Sequence, residues 1–336
     1  MAFTLILLGI LLYLLTKHVN SKLNSPDDPS FESDTDVQEV SNQADPDFDP
    51  IPPSEDIRET EPEREEEPVF NHAPQPEPQP AYKDYSKYGH LFGLIGKPLA
   101  HSTSKVRFNK FFKDQHIDAY YENFEIEDIE QVKNLIKDNP NLCGFNVTIP
   151  YKQDIIPYLN RLDETAQAIG AVNTVKVLHR DGGVELVGYN TDWIGFNKSF
   201  GALLEGHRKA LILGTGGVSK AVKYALDTLG IENRFVSRNS TFDILGYYEL
   251  SPSLMDEYDV IVNCTPMGMW PETGQCPDIP YTFLSESHLL LDVIANPDET
   301  LFMKKGREHG ATAKGGKDML EQQAVAAWEI WNRIGE

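Results

Sequence analysis

The chain has 336 residues, 40% of them apolar, and a formal net charge of −22, which allows one large or two medium domains with a sizeable core. The charge is uneven. Residues 26–80 hold 18 acids, 2 bases and 12 prolines and so carry −16 of the total, leaving a mildly acidic remainder without the basic patch that nucleic-acid binding needs. Cys143, Cys264 and Cys276 lack metal-type spacing and fit a reducing compartment, and no solenoid-type repeat is present.

Residues 1–16 are almost wholly apolar and uncharged. As a helix they span about 24 Å, short of a hydrocarbon core of about 30 Å. No basic n-region precedes them and no small-x-small cleavage site follows, so the expectation is a short membrane anchor rather than a removed signal. Lys17, His18 and Lys22 then place the rest of the chain in the cytoplasm. Residues 17–84 read as a disordered, acidic, Pro-rich linker acting as a solvated spacer.

The folded part opens with a strand at 91–96. His101-Ser102-Thr103-Ser104 follows and leads into a helix carrying Val106, Phe108, Phe111 and Phe112. Ser102 and Ser104 read either as plain N-cap residues or as an anion site formed with free helix N–H groups. A strand at 119–124 and a helix at 129–137 come next. The run 144–149 predicts a buried strand stopped by Pro150, with Lys152 just beyond it at the mouth of a sheet. A lone lysine there is either a solvated charge or an acid/base group. Residues 172–178 and 184–189 flank Asp181-Gly182-Gly183, a hairpin signal. Ala171-Val172-Asn173-Thr174 and Asn190-Thr191-Asp192 each put compact polar residues beside an apolar strand.

A second unit follows a connecting helix at 193–204. Strand 210–213 runs into Gly214-Thr215-Gly216-Gly217-Val218-Ser219 and a helix to Leu229. This strand–turn–helix order suits a pyrophosphate at the helix N-terminus, although Ser219 stands where the general fingerprint has glycine. The next strand ends in Ser237-Arg238. An arginine there suits a ribose 2′-phosphate, so the cofactor reads as NADP rather than NAD. Strands 260–263 and 289–291 continue a parallel sheet. The last helix carries Leu320, Ala324, Ala327, Trp328 and Trp331 on one apolar face, with the tryptophans in the core.

Taken together, these motifs resemble the shikimate dehydrogenase family across residues 88–336. The matching pieces are residues 93–104, 146–152, 170–174, 190–192, 214–219, 263–268, Met319-Leu320 and Gln323-Ala324. The resemblance implies an α/β fold of two domains: a substrate-binding domain of residues 85–194 and 316–336, to which the last helix returns, and a Rossmann-type NADP-binding domain of residues 195–315. It implies NADPH-dependent reduction of 3-dehydroshikimate to shikimate, with Lys152 and Asp192 as the acid/base pair. Ser102 and Ser104 would hold the substrate carboxylate. Thr148, Asn173, Asp192 and Gln323 would bind ring hydroxyls. Gly214, Thr215, Gly216, Gly217, Val218, Ser219, Ser237 and Arg238 would hold NADP, with Met267 and Gly268 near its nicotinamide. No metal is implied, the expected partners are the small-molecule substrate and the membrane through residues 1–16, and oligomeric state is open. Two positions depart from the family pattern: Ala295 stands where tyrosine is usual, and Lys105 replaces a proline that often follows the serine pair. Ala295 keeps open a relative acting on quinate or a similar polyhydroxy acid. A tethered binding protein without turnover is the third reading, opposed by the presence of both Lys152 and Asp192.

Overall fold

Two sets of apolar strands build two six-stranded sheets in a computed structural model that describes residues 83–334. The expected anchor, and all but the last two residues of the expected linker, lie outside the described residues. Among the described residues no helix is long and apolar enough to cross a membrane.

The first sheet contains β1 (His90–Gly96), β2 (Ala119–Glu125), β3 (Leu142–Val147), β4 (Arg161–Leu162), β5 (Thr174–Arg180) and β6 (Gly183–Tyr189), ordered β2-β1-β3-β5-β6-β4. β1 pairs in parallel with β2 and β3, whereas β5 is antiparallel to both β3 and β6. The ends of β1, β3 and β6 and the start of β5 therefore share one edge of the sheet. On one face Leu91, Ile95, Leu142, Phe145, Val147 and Val175 form a fully buried, mainly aliphatic core with Val132 of α2 (Val132–Asp138). The other face is aromatic. Phe108 and Phe112 of α1 (Ser104–Asp114) meet Phe92, Trp328 and Trp331. Gly144 has no room for a side chain, since a Cβ there would lie 2.3 Å from Trp331 Nε1, and that indole N–H donates to Val175 O at 2.9 Å. Both tryptophans are core residues, as their spacing predicts.

Between β4 and β5 lies α3 (Glu164–Ile169), and after β6 the chain enters α4 (Asp192–Phe200). The second sheet is parallel throughout. It contains β7 (Lys209–Leu213), β8 (Glu232–Ser237), β9 (Ile244–Gly246), β10 (Val260–Asn263), β11 (Leu289–Asp292) and β12 (Thr312–Lys314), ordered β12-β11-β10-β7-β8-β9. Alternate side chains enter two cores. Ile212, Val260, Val262 and Leu291 pack under α4 and α5 (Gly217–Thr228). Leu211, Leu213, Ile261 and Leu290 pack under α6 (Pro252–Glu257) and α7 (Leu301–Glu308). The last helix, α8 (Lys317–Trp331), is about 22 Å long at 1.5 Å per residue. Its Met319 joins the second-sheet core beside α4 and α5, while its tryptophans cover the first sheet.

Several sequence expectations shift at their ends. Val106 is 71% exposed, because Phe108 and Phe112 set the inward stripe and a residue two positions earlier lies on the opposite side. β3 stops at Val147, and Ile149 is 58% exposed. Val147 N still donates across to Asn173 O (2.8 Å), and the chain then turns through Pro150, with Tyr151 N donating to Thr148 O (2.9 Å). The helix expected at 129–137 begins as a 3₁₀ turn, Ile129–Gln131, with Asp128 accepting from Glu130 N. The connecting helix changes to a 3₁₀ turn at Gly201, a poor helix former. Strands β4, β9 and β12 have two or three residues each, too few for alternation to register.

Candidate active site

The shared edge of the first sheet collects the polar residues singled out in the sequence. Ser102 and Ser104 follow β1, Thr148 and Lys152 follow β3, Asn173 precedes β5, and Asp192 follows β6. Lys97 N donates to Ile149 O (3.0 Å), joining the loops after β1 and β3, and Val172 N donates to Lys152 O (2.7 Å).

Asp192 is the centre of this edge. Its side chain is 2% exposed, and Lys152 Nζ lies 2.7 Å from Oδ2. Asn173 Nδ2 lies 2.9 Å from Asp192 Oδ1, Thr191 Oγ1 and Gln323 Oε1. Asn173 Oδ1 accepts from Thr191 N (2.7 Å), and Asp192 N donates to Asn190 Oδ1 (3.0 Å). Asp192 also occupies the first turn of α4, where the helix dipole favours negative charge. Lys152 is thus a largely buried ammonium held in a salt bridge, not a solvated surface charge. Thr148 is half-buried, and a Cβ on Gly96 would meet its methyl group at 2.3 Å.

The serine loop differs from a capping arrangement. The N-cap of α1 is Thr103, and its side chain makes no cap hydrogen bond. Ser102 Oγ accepts from Ser104 N at 3.3 Å, the N–H groups after Ser104 receive no cap from Thr103, and the first turn holds no acid. This is the geometry that accepts an anion.

The second sheet presents its carboxyl edge in the same way. Gly214 has φ +100°, a conformation glycine alone adopts freely, and its N–H donates to Val236 O (2.8 Å). Thr215 and Gly216 are exposed, and a Cβ on Gly216 would point into open space. α5 has Gly216 as N-cap, no side-chain cap and no acid in its first turn. The Ser219 side chain is fully buried and its hydroxyl donates to Gly216 O at 2.6 Å, so it braces the turn from within. Ser237 ends β8 beside Gly214, and Arg238 follows it, exposed and in no ion pair among the described residues. Open space at Gly216, uncapped N–H groups and a nearby arginine fit a dinucleotide carrying an extra phosphate.

The two edges touch. A Cβ on Gly217 would lie 2.9 Å from Lys152 Cβ and 3.2 Å from its Cδ, so the stem of Lys152 packs against the start of α5. Lys220 Nζ donates to Gln153 Oε1 at 2.5 Å, and the rings of His101 and Trp270 meet at 4.2 Å.

Sequence reasoning gave no role to the side chains that hold the Met267–Gly268 loop. Asn263 Oδ1 accepts from Thr265 N (3.0 Å) and Thr265 Oγ1 (2.7 Å), while Asn263 Nδ2 donates to Met267 O (3.4 Å) and Asp292 Oδ1 (3.2 Å). Asp292 further accepts from Ile294 N (3.0 Å) and Thr300 Oγ1 (2.6 Å). The signal for Asn263 and Asp292 was positional: each is the polar residue that closes an apolar parallel strand. Gly268 itself has φ +97°. Ala295, in the loop after Asp292, is half-buried.

Residues 94–175 match a family model described as the shikimate dehydrogenase substrate binding domain. The shikimate dehydrogenase (NADP(+)) of Methanococcus vannielii is 36% identical over 263 residues, covering 72% of this chain and 90% of that protein. Shikimate 5-dehydrogenase of Thermus thermophilus, solved in complex with NADP(H) and shikimate, superposes with a TM-score of 0.62 at 27% identity, over 72% of this chain and 93% of that one. Quinate dehydrogenase of Corynebacterium glutamicum, solved in complex with NAD, gives 0.63 at 27% identity, over 73% and 94%.

Burial raises the Asp292 carboxyl to about 6, against hydrogen bonds from Thr300, Ile294 N and Asn263 that lower it. A carboxyl whose folded value is raised contributes stability that is complete below its unfolded value and is lost as pH rises through the folded one. Between pH 5 and 7.5 that loss is about 1–2 kcal/mol. An asparagine at this position would keep a neutral acceptor for Thr300 and would not ionise. The variant Asp292→Asn should therefore gain stability relative to the parent over this range, read from urea midpoints at the two pH values. Parallel curves for the two proteins would refute the assignment.

Proposed function

This chain belongs to the shikimate dehydrogenase family, and on that premise we propose that it catalyses the reversible, NADPH-dependent reduction of 3-dehydroshikimate to shikimate. The observation that carries the reading is the Lys152–Asp192 salt bridge of 2.7 Å, packed against the glycine turn. NADPH, when bound, supplies the hydride that reduces the carbonyl carbon. Negative charge builds on the carbonyl oxygen as that happens, and the Lys152 ammonium stabilises it and delivers the proton from Nζ. Asp192 holds and aims the Lys152 ammonium through their salt bridge, and accepts a substrate hydroxyl. Asn173, whose amide already reaches three acceptors, exchanges one of them for a ring hydroxyl. Gln323 and Thr148 complete that set.

Ser102, Ser104 and the uncapped start of α1 receive the substrate carboxylate. On the second sheet, the N–H groups of the turn from Gly214 to Ser219 hold the pyrophosphate. Ser237 and Arg238 take the 2′-phosphate, and Met267 and Gly268 flank the nicotinamide. This divides the folded part into a substrate-binding domain of residues 85–194 and 316–336 and a cofactor domain of residues 195–315.

Ala295 favours a second reading. The family's usual tyrosine offers a phenol that donates to a carboxylate, and alanine offers none, which leaves space for quinate or a related acid. NADPH oxidation assayed with 3-dehydroshikimate beside 3-dehydroquinate separates the readings. Turnover of 3-dehydroshikimate should dominate. Lys152→Ala should lower kcat by roughly 10²–10⁴ with a smaller change in KM, since the lost contact matters mainly in the transition state. Asp192 keeps its Asn173 bond and its helix N-terminus in that variant, so the fold should persist. An unchanged kcat would remove Lys152 from the chemistry.

Cofactor choice is tested separately. A charge-assisted pair contributes about 1.5–3 kcal/mol, so Arg238→Ala should raise the NADPH KM about tenfold or more and leave NADH use nearly unchanged. Equal loss with both cofactors would contradict the 2′-phosphate assignment.

We also propose that residues 1–16 hold the enzyme at the membrane with its catalytic part in the cytoplasm, supported by their apolar run and the basic residues after it. Full-length protein should sediment with membranes, and protein starting at Tyr82 should be released and active. Full-length protein recovered wholly in the soluble fraction would end this reading.

A further inference from the structure

Glu122 lies on the edge strand β2 and is 4% exposed. Its carboxylate accepts from Tyr85 Oη (2.7 Å), from Asn123 N (2.9 Å) and from the Lys105 ammonium, with which it forms a salt bridge. Burial pushes this carboxyl up, but the bonds from Lys105, Tyr85 and Asn123 outweigh it and hold the group below its ordinary value. The pair is ionised at neutral pH.

The Tyr85 side of the cluster is built from the residues that directly follow the acidic N-terminal region. Tyr88 N donates to Tyr85 O (3.1 Å), closing a turn, and Asn141 Nδ2 donates to Tyr85 O (3.1 Å) and Tyr88 O (2.9 Å). Both rings stack on Tyr120, at 5.8 Å for Tyr85 and 4.7 Å for Tyr88. The segment is thus bound to the sheet edge by backbone and rings together.

The Lys105 side leads to the site. Lys105 directly follows Ser104 in the first turn of α1, a position where the helix dipole disfavours a cation. β2 grips the same loop a second time, through Glu125 Oε2, which accepts from Leu99 N (2.9 Å). Leu99 O in turn accepts from Ser102 N (2.9 Å). Ser102, Thr103 and Ser104 therefore sit between two points fixed by β2. Sealing the open edge of a sheet would explain the stacked rings. It does not require a buried carboxylate paired with the half-buried lysine next to Ser104.

We propose that Tyr85, Glu122 and Lys105 form a clamp through which the segment joining the acidic N-terminal region to the enzyme positions the Ser102–Ser104 loop for the substrate carboxylate. The proposal rests on the assignment of that loop to the carboxylate. None of the three side chains need touch substrate; they are positioning residues, and Lys105 acts through its partner.

The test uses the full chain and steady-state kinetics on 3-dehydroshikimate and NADPH. Tyr85→Phe, which keeps the ring and removes the hydroxyl, should raise the KM for 3-dehydroshikimate about threefold, and Glu122→Gln about tenfold. In both, kcat and the KM for NADPH should stay within about twofold, a split that loss of a purely structural contact would not produce. Lys105→Arg keeps the pair and should keep the parent KM. If Glu122→Gln fails to fold, Tyr85→Phe and Lys105→Arg still decide the matter. A lower Tm with an unchanged KM for 3-dehydroshikimate would reduce the cluster to an edge seal and overturn the proposal. So would a parallel rise in both KM values. Ser104→Ala, measured alongside, separates the two levels. If it raises the KM and the clamp variants do not, the clamp alone fails. If it leaves the KM unchanged, the carboxylate assignment fails and the clamp with it.

Discussion

A carboxylate that is 2% exposed cannot remain charged without compensation, and the site is arranged around that demand. Removing Asp192 from water costs several kcal/mol. The opposing contributions are the Lys152 ammonium at 2.7 Å, the Asn173 amide at 2.9 Å and the first turn of α4. Each compensating group has its own support. Asn173 is fixed by Thr191 and also reaches Gln323 on α8. Lys152 is fixed at its backbone by Val172 N and at its stem by Gly217. One buried charge thus joins the end of β6, the start of β5, the loop after β3 and the returning helix.

Asp292 meets the same demand differently. It is fully buried, and its hydrogen-bond donors are neutral: a hydroxyl, an amide side chain and a backbone N–H. No ammonium stands beside it among the described residues, so burial outweighs the hydrogen bonds and its carboxyl titrates near 6. What the unfavourable burial maintains is loop geometry. Through Asn263 the carboxylate holds the backbone around Met267, and through Ile294 N and Thr300 it holds the loop that carries Ala295.

The sequence made much of this legible because its signals were local. Runs such as 210–213 and 260–263 could only be buried strands, and polar residues at their ends had to face a cleft. That reasoning singled out Lys152, Asp192, Asn173 and the glycine turn, which the structure brings to two adjoining sheet edges. It failed where the deciding contact was distant in sequence. Val106 read as apolar helix face, yet the inward stripe is set by aromatic partners more than two hundred residues away, Trp328 and Trp331. Lys105 looked like a minor departure, because nothing local shows that a buried Glu122 awaits it seventeen residues on.

The packing of the Lys152 stem on Gly217 also bears on how separable the parts of this enzyme are for redesign. The backbone that would cradle pyrophosphate and the side chain that would move the proton share a van der Waals surface. A bulkier residue at Gly217 is felt first at the Lys152 stem, whatever it was meant to do for the cofactor. Arg238 lies one strand further out, at the end of β8 and towards the edge strand β9, exposed and outside the Asp192 network. If Arg238 takes the 2′-phosphate and Lys152 the proton, as proposed, coenzyme preference would be modular at the outer strand and tied to chemistry at the inner one, and engineering that respects this division would change one without disturbing the other.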